Sequence, residues 1–195
     1  MGRLFFAAAL ATALHIQSLA DVINVNFVET PFGVDASGSG SFDTTGLSLD
    51  FVDFDASTLI FVNPLDGGFG LGDAGNGDAY RIAATVPFGT QGSTTTAPGT
   101  GDLFGIAFSG GPLVMVPTGY VSQSPLSFAA AFPGESFASL GITAIGTVPI
   151  TAGQNTINLN FSVAQAEIPV PPAIALLGGA LLAFGAVSRR RRLPA

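Results

Sequence analysis

The 195-residue chain contains no cysteine, no lysine and no tryptophan, and only one histidine. Without cysteine there is no disulfide and no thiolate chemistry, which is compatible with export without requiring it. Without lysine there is no Schiff-base catalysis. The one histidine, His15, falls in an N-terminal segment that reads as removable, so the remaining chain has no imidazole. Ser-His-Asp and Cys-His catalysis and His/Cys zinc sites are thereby excluded. Cations are nearly absent too. Five of the six basic residues are Arg3 and Arg189 to Arg192, whereas all thirteen acids lie between Asp21 and Glu167. One arginine, Arg81, against thirteen acids leaves that stretch at −12. Such a surface lacks the cations that neutralise phosphates, so nucleic acid and anionic lipid are not its partners. Carboxylates, hydroxyls and one arginine remain for chemistry.

The N-terminus reads MGRLFFAAALATALHIQSLA. Arg3 and the α-amino group form a positive start, and Leu4 to Leu14 is an apolar core too short to cross a bilayer. Ser18 and Ala20 are small residues at the −3 and −1 positions for cleavage between Ala20 and Asp21. Residues 1–20 are therefore expected to be a signal peptide, with His15 at the end of its apolar region.

Residues 21–166 change to a composition rich in Gly, Thr, Ser and Phe. No window has a convincing 3.6-residue apolar period, and several alternate with period 2 between turn residues. Strands are expected at Val22–Val28, Gly38–Phe42, Gly46–Phe51 with Leu47, Leu49 and Phe51 on one face, Ser57–Val62, Tyr80–Phe88, Leu103–Phe108, Leu113–Val116, Ser127–Phe132, Ser136–Ile145 and Thr156–Val163. In the last, Ile157, Leu159, Phe161 and Val163 share one face and Asn158, Asn160 and Ser162 the other. About eight to ten short strands predict an all-β domain, an antiparallel β-sandwich or jelly-roll-like ectodomain with a phenylalanine-rich core. Gln91–Gly101 reads as a polar loop.

Two acidic groups carry the only candidate chemistry. Asp66–Asp78, DGGFGLGDAGNGD, combines glycine turns with hard oxygen donors. It is either a glycine-rich surface loop with solvated acids or a Ca²⁺ site built on Asp66, Asp73 and Asp78. It approaches the calcium-binding G-G-x-G-x-D repeat, but the aspartate comes one residue late and there is one copy. Asp50, Asp53 and Asp55 form the second group. On a regular strand Asp53 and Asp55 would share a face about 6–7 Å apart, a spacing that any i, i+2 pair has. Arg81 is expected to pair with a nearby acid such as Asp78. Asn160-Phe161-Ser162 fits a glycosylation sequon, a pattern frequent by chance.

The C-terminus has three parts in fixed order, over residues 167–195. Ile168, Pro169, Val170, Pro171, Pro172 and Ala173 form a proline motif. Residues 174–188 form an apolar helix of about 21–24 Å, short against a bilayer core of about 30 Å. Arg189, Arg190, Arg191 and Arg192 form a basic block that would stay cytoplasmic. This order resembles the PEP-CTERM class of bacterial sorting signals, in particular the VPLPA variant, with an extra proline and Ile for Val. The resemblance implies an exosortase, a membrane cysteine transpeptidase, that removes the tail near the motif. It also implies a Gram-negative bacterium that makes exopolysaccharide, often in biofilms. Gly38–Leu47, Gly101–Ile106, Val116–Ser122 and Ser136–Gly141 look like segments of ectodomains that occur with such tails, for which no activity carries over.

The leading expectation is a non-enzymatic surface or extracellular-matrix protein, made as an inner-membrane-anchored precursor. The second is a carbohydrate-binding β-sandwich, with or without Ca²⁺, whose aromatic platform would use Tyr80, Tyr120 or Phe. A carboxylate-based hydrolase and a permanent single-pass anchor complete the set.

Overall fold

The computed structural model describes residues 21–56, 60–73, 75–90 and 99–165. The expected signal peptide, the proline motif, the apolar helix and the arginine block lie outside them, apart from Asp21. The chain divides into a unit of residues 1–163 and a second of residues 164–195, of which Ala164 and Gln165 are described.

The described residues form twelve strands and no helix: β1 (Val22–Thr30), β2 (Gly33–Ser41), β3 (Ser48–Asp55), β4 (Phe61–Asn63), β5 (Gly68–Leu71), β6 (Asn76–Arg81), β7 (Gly99–Gly101), β8 (Phe104–Phe108), β9 (Pro112–Pro117), β10 (Pro125–Pro133), β11 (Gly146–Ala152) and β12 (Asn155–Val163). They make two six-stranded sheets, ordered β11-β12-β1-β2-β10-β7 and β3-β6-β9-β8-β5-β4. Among the described strands every pairing is antiparallel except that of β1 with β12. The expected all-β class is what the structure shows.

Alternation decides the faces of the first sheet. In β1, Ile23, Val25 and Phe27 are buried while Val22, Asn24 and Asn26 are exposed. In β12, Ile157, Leu159 and Phe161 are buried in the predicted phase. Phenylalanines join the two sheets. Phe27 stacks on Phe161 at 5.2 Å and meets Phe69 of the second sheet edge-on at 6.2 Å, and Phe128 stacks on Phe104 of the second sheet at 4.9 Å. Offset and edge-on rings of this kind add about 0.5–1.5 kcal/mol per pair to burial alone.

The sheet edges are blunted, as exposed edges must be to avoid pairing with other chains. β4 and β7 have three residues each. β11 carries Pro149. β3 is broken by two irregularities, between Leu49 and Phe51 and between Phe51 and Phe54, and carries Asp50, Asp53 and Asp55.

Several expected elements differ. The glycine-rich stretch 66–78 contains β5, a strand in which all four residues are buried. Its neighbour Gly72 has φ +95° and lies so close to the Asp102 carbonyl that a Cβ would collide with it. Glycine there serves close packing of the bend after β5 against the bend after β7, not loop flexibility. Tyr80–Phe88 is strand only to Arg81. Beyond it, Thr85 Oγ1 donates to the Asp66 carbonyl at 2.7 Å and Phe88 N–H to the Pro64 carbonyl at 3.0 Å, which lays the segment along the turn after β4. Ser136–Ile145 is a turn: Leu140 N–H donates to Ser136 O, and Ser136 and Ser139 bond each other's side chains and backbone. Such local serine bonds compete with a strand ladder. In Gly46–Phe51, Leu47 packs against the core, while Leu49 and Phe51 lie in the irregular edge strand β3 and are exposed.

Candidate functional site: the polar face of the first sheet

Asp66 and Asp78, two of the three acids of the glycine-rich stretch, accept hydrogen bonds from their own chain. Asp78 is buried in β6; its Oδ1 accepts from Asp53 N–H at 3.0 Å and its Oδ2 from Gly119 N–H at 2.9 Å. Asp66 sits in the turn after β4, where its carboxylate accepts from Asn63 Nδ2 at 3.0 Å. Asp73 is exposed after β5, and its N–H donates to the Gly101 carbonyl at 3.0 Å. Among the described residues no three His, Cys, Asp or Glu side chains are grouped to hold a metal ion.

The second acidic group is likewise divided. The irregularity in β3 puts Asp53 at φ +52°, so the regular i, i+2 relation with Asp55 does not hold. Asp53 Oδ1 accepts from Asn76 Nδ2 at 2.9 Å and from Thr118 Oγ1 at 3.1 Å. Asp50 forms an ion pair with Arg81. The expected Arg81–Asp78 pair is thus replaced: Asp78 serves backbone amides, and Arg81 reaches the neighbouring strand.

The tightest polar constellation joins three connections. Asp43 and Asn155 are both buried. Asp43 N–H donates to Asn155 Oδ1 at 2.6 Å, while Asn155 Nδ2 donates to the Asp43 and Ala152 carbonyls, both at 2.8 Å. The Asp43 carboxylate accepts from Thr45 N–H, from Ser122 Oγ at 2.8 Å and from Gln123 Nε2. These bonds, those from Thr45 first, hold its carboxyl at about 2, against an ordinary 3.8. The Tyr120 hydroxyl donates to the Ser124 carbonyl at 2.6 Å and accepts from Phe42 N–H at 3.0 Å. Its acidity is suppressed chiefly by burial, and further by the charges of Asp21, Asp102 and Asp43. These bonds, with that from Thr44 N–H to Ser122 Oγ at 3.0 Å, staple the segment Gly38–Leu47 to Val116–Ser122. Tyr120 and Tyr80 are half-buried against the core and form no exposed platform.

Among the described residues, polar groups without a protein partner also line the outer face of the first sheet. Strand register aligns Thr147, Asn160, Asn26, Ser37, Ala129 and Thr100 in one row, and Pro149, Asn158, Asn24, Ser39 and Ser127 in the next. Neither row holds a charge or an aromatic ring. Asn158 Nδ2 donates to Asn24 Oδ1 and Asn160 Nδ2 to Asn26 Oδ1, both at 3.2 Å, and Thr147 Oγ1 donates to Asn160 Oδ1 at 2.7 Å. The side-chain N–H groups of Asn24 and Asn26 have no protein partner among the described residues. Small side chains on β2 and β10 leave a shallow depression of about 300 Å³ lined by Asn26, Ser37, Ser39, Thr100, Ser127 and Ala129. Its floor is central strand, with backbone groups already paired in the ladder. The alternation of Asn24 and Asn26, repeated in Asn158 and Asn160, was the sequence signal for this face. The parallel pairing that sets the two motifs side by side had no local signal.

Comparison with family models, with curated proteins and with solved structures gives no significant match.

Proposed function

We propose that the chain is an exported surface or extracellular-matrix protein, sorted by its C-terminal segment, whose domain of β-sandwich type has a non-enzymatic role linked to exopolysaccharide. The observation that carries this reading is the order of proline motif, short apolar run and arginine block over residues 168–192. An exosortase-type transpeptidase would act near Ile168–Ala173, with Arg189–Arg192 on the cytoplasmic side. The domain is in keeping with a passive role, since Asp43, Asp53, Asp78 and Asp102 all accept hydrogen bonds from their own chain. Replacing Pro169, Pro171 and Pro172 with Ala in the native host tests it. The variant should accumulate in the inner membrane with its tail intact, whereas the wild-type chain reaches the surface or medium. An unchanged distribution overturns the reading.

A second reading is favoured by the polar face: a carbohydrate-binding module for neutral chains. Unpaired amide N–H groups and rows of hydroxyls match sugar hydroxyls, and the absence of cations there disfavours anionic polymers. Without an aromatic platform the affinity per domain would be low, with retention depending on many copies. Affinity electrophoresis through dextran, hydroxyethylcellulose or alginate, with and without EDTA, tests this. Retardation by a neutral polymer, abolished by Asn26→Leu with Ser39→Val and kept in Thr151→Val, supports it. Retardation by alginate alone, or by none, removes it.

A further inference from the structure

Phe32 is the most exposed large apolar side chain among the described residues, at 86%. It sits at the tip of the β1–β2 hairpin, and the turn holds without its ring. Thr30 Oγ1 donates to the Gly33 carbonyl at 2.9 Å and accepts from Phe32 N–H at 3.2 Å. Gly134 N–H donates to the Phe32 carbonyl at 2.8 Å. The backbone on both sides of the ring is therefore fixed, and the ring stands out as a knob. A phenylalanine has only two side-chain torsions, so such a knob has little freedom left to lose on binding.

The second sheet carries a recess that matches it. Register places Phe51, Ala79, Met115, Gly105, Gly70 and Phe61 in one row across all six strands. Their neighbours along the strands, such as Val114, Val116 and Ile106, belong to the core between the sheets. The row thus lies on the outer face, where Met115 and Phe61 share a separate apolar cluster. There Phe51, Phe54, Ala79, Ala107, Phe108 and Met115 line a groove of about 250 Å³, with room for one aromatic side chain. The groove ends at Ser109 and Leu113, beside Arg81, whose Nη1 donates to the Ser109 carbonyl at 3.2 Å. Arg81 is the one cation among the described residues. The knob has acids beside it: Asp35 shares a hollow with Phe32, and Glu135 follows Gly134. Two copies of so acidic a domain repel in most orientations. Knob against groove is the orientation that sets carboxylates against Arg81.

We propose that Phe32 of one copy seats in the groove of a second copy, so that the domain associates with itself head to tail. Knob and groove lie on different sheets, so the contact is heterologous: each added copy leaves one knob and one groove open, and the assembly grows as a chain of copies. One aromatic ring buries about 150–250 Å², far below the roughly 1,200 Å² of a stable complex. Each link is therefore weak, with a Kd on the order of 0.1–1 mM, and matters where copies are crowded or held side by side. The proposal does not rest on how the chain is sorted.

The test uses residues 21–165, which carry both sheets and the core between them, in sedimentation equilibrium from about 10 μM to 1 mM. The weight-average mass should reach at least about twice that of the monomer at 1 mM. Phe32→Ser and Phe51→Glu should each stay monomeric with unchanged circular dichroism, since both side chains are exposed, whereas Val52→Ser, exposed outside the groove, should associate as the wild type does. Mixed one to one, the two monomeric variants should associate again but stop at two copies, because one retains the groove and the other the knob. A wild-type chain that stays monomeric at 1 mM, including one whose groove takes up an apolar dye instead, overturns the proposal. So does association that survives Phe32→Ser, which would mark a symmetric groove-to-groove dimer, or a mixture that stays monomeric.

Discussion

Asn155→Ala tests whether the polar constellation is a staple. Asn155 is fully buried and makes three hydrogen bonds, at 2.6, 2.8 and 2.8 Å, to Asp43 N–H, Asp43 O and Ala152 O. Truncation leaves two carbonyls and one N–H without partners in a site closed to water. At about 1 kcal/mol net per bond the loss is about 3 kcal/mol. For a domain of this size that lowers Tm by about 6–12 °C. Urea unfolding followed by circular dichroism should show a lower midpoint with unchanged slope, since the surface exposed on unfolding hardly changes. Asn155→Asp keeps the acceptor for Asp43 N–H but deletes both donors and adds a charge, so it should be at least as destabilising. A loss below about 1 kcal/mol in Asn155→Ala would mean that these three bonds do not hold the connections together. Asp43 and its neighbours would then be a loosely held group with capacity for a ligand.

Other expectations follow from the same contacts. The Asp43 carboxyl is held at about 2, below its ordinary 3.8, so its contribution is present above about pH 4 and lost as pH falls through 2; Asp43→Asn should be less stable at pH 7 and show a shallower decline between pH 4 and 2 in urea titrations. Gly72→Ala places a methyl against the Asp102 carbonyl at a left-handed φ, and should give insoluble protein or a Tm lower by more than 6 °C, read by differential scanning fluorimetry. Arg81→Ala removes the ion pair with Asp50, in which both side chains are about a third exposed (34% and 33%), and should cost no more than about 1 kcal/mol, less at high salt. Calcium chloride at millimolar concentration should move Tm by less than about 1 °C, because Asp78 has both oxygens engaged by backbone amides; a rise of several degrees, reversed by EDTA, would contradict this.

Strands whose burial alternates were legible in the chain. β1 and β12 declare their inward residues through Ile23, Val25 and Phe27 and through Ile157, Leu159 and Phe161, and β8, β9 and β10 were found within a residue or two. β5 was hidden because both its faces are covered and two of its four residues are glycine, which reads as a loop. β11 was hidden by Pro149 and by threonines on an edge that needs little apolar content. The acids were legible as clusters but not as partners. Which carboxylate meets Arg81, and which accepts backbone amides, depends on the irregularities in β3 and on connections distant in sequence. The Asp43–Asn155 contact spans 112 positions, and the rows of the polar face join strands from both ends of the domain, so neither leaves a local pattern.

The claim on which the functional account stands is delivery: a leader removed before Asp21 and a tail removed near the proline motif. Intact mass of the mature protein from native cells measures both ends at once. The expected species lacks Met1–Ala20 and lacks the residues after about Pro172. A mature chain that retains Arg189–Arg192 contradicts that claim.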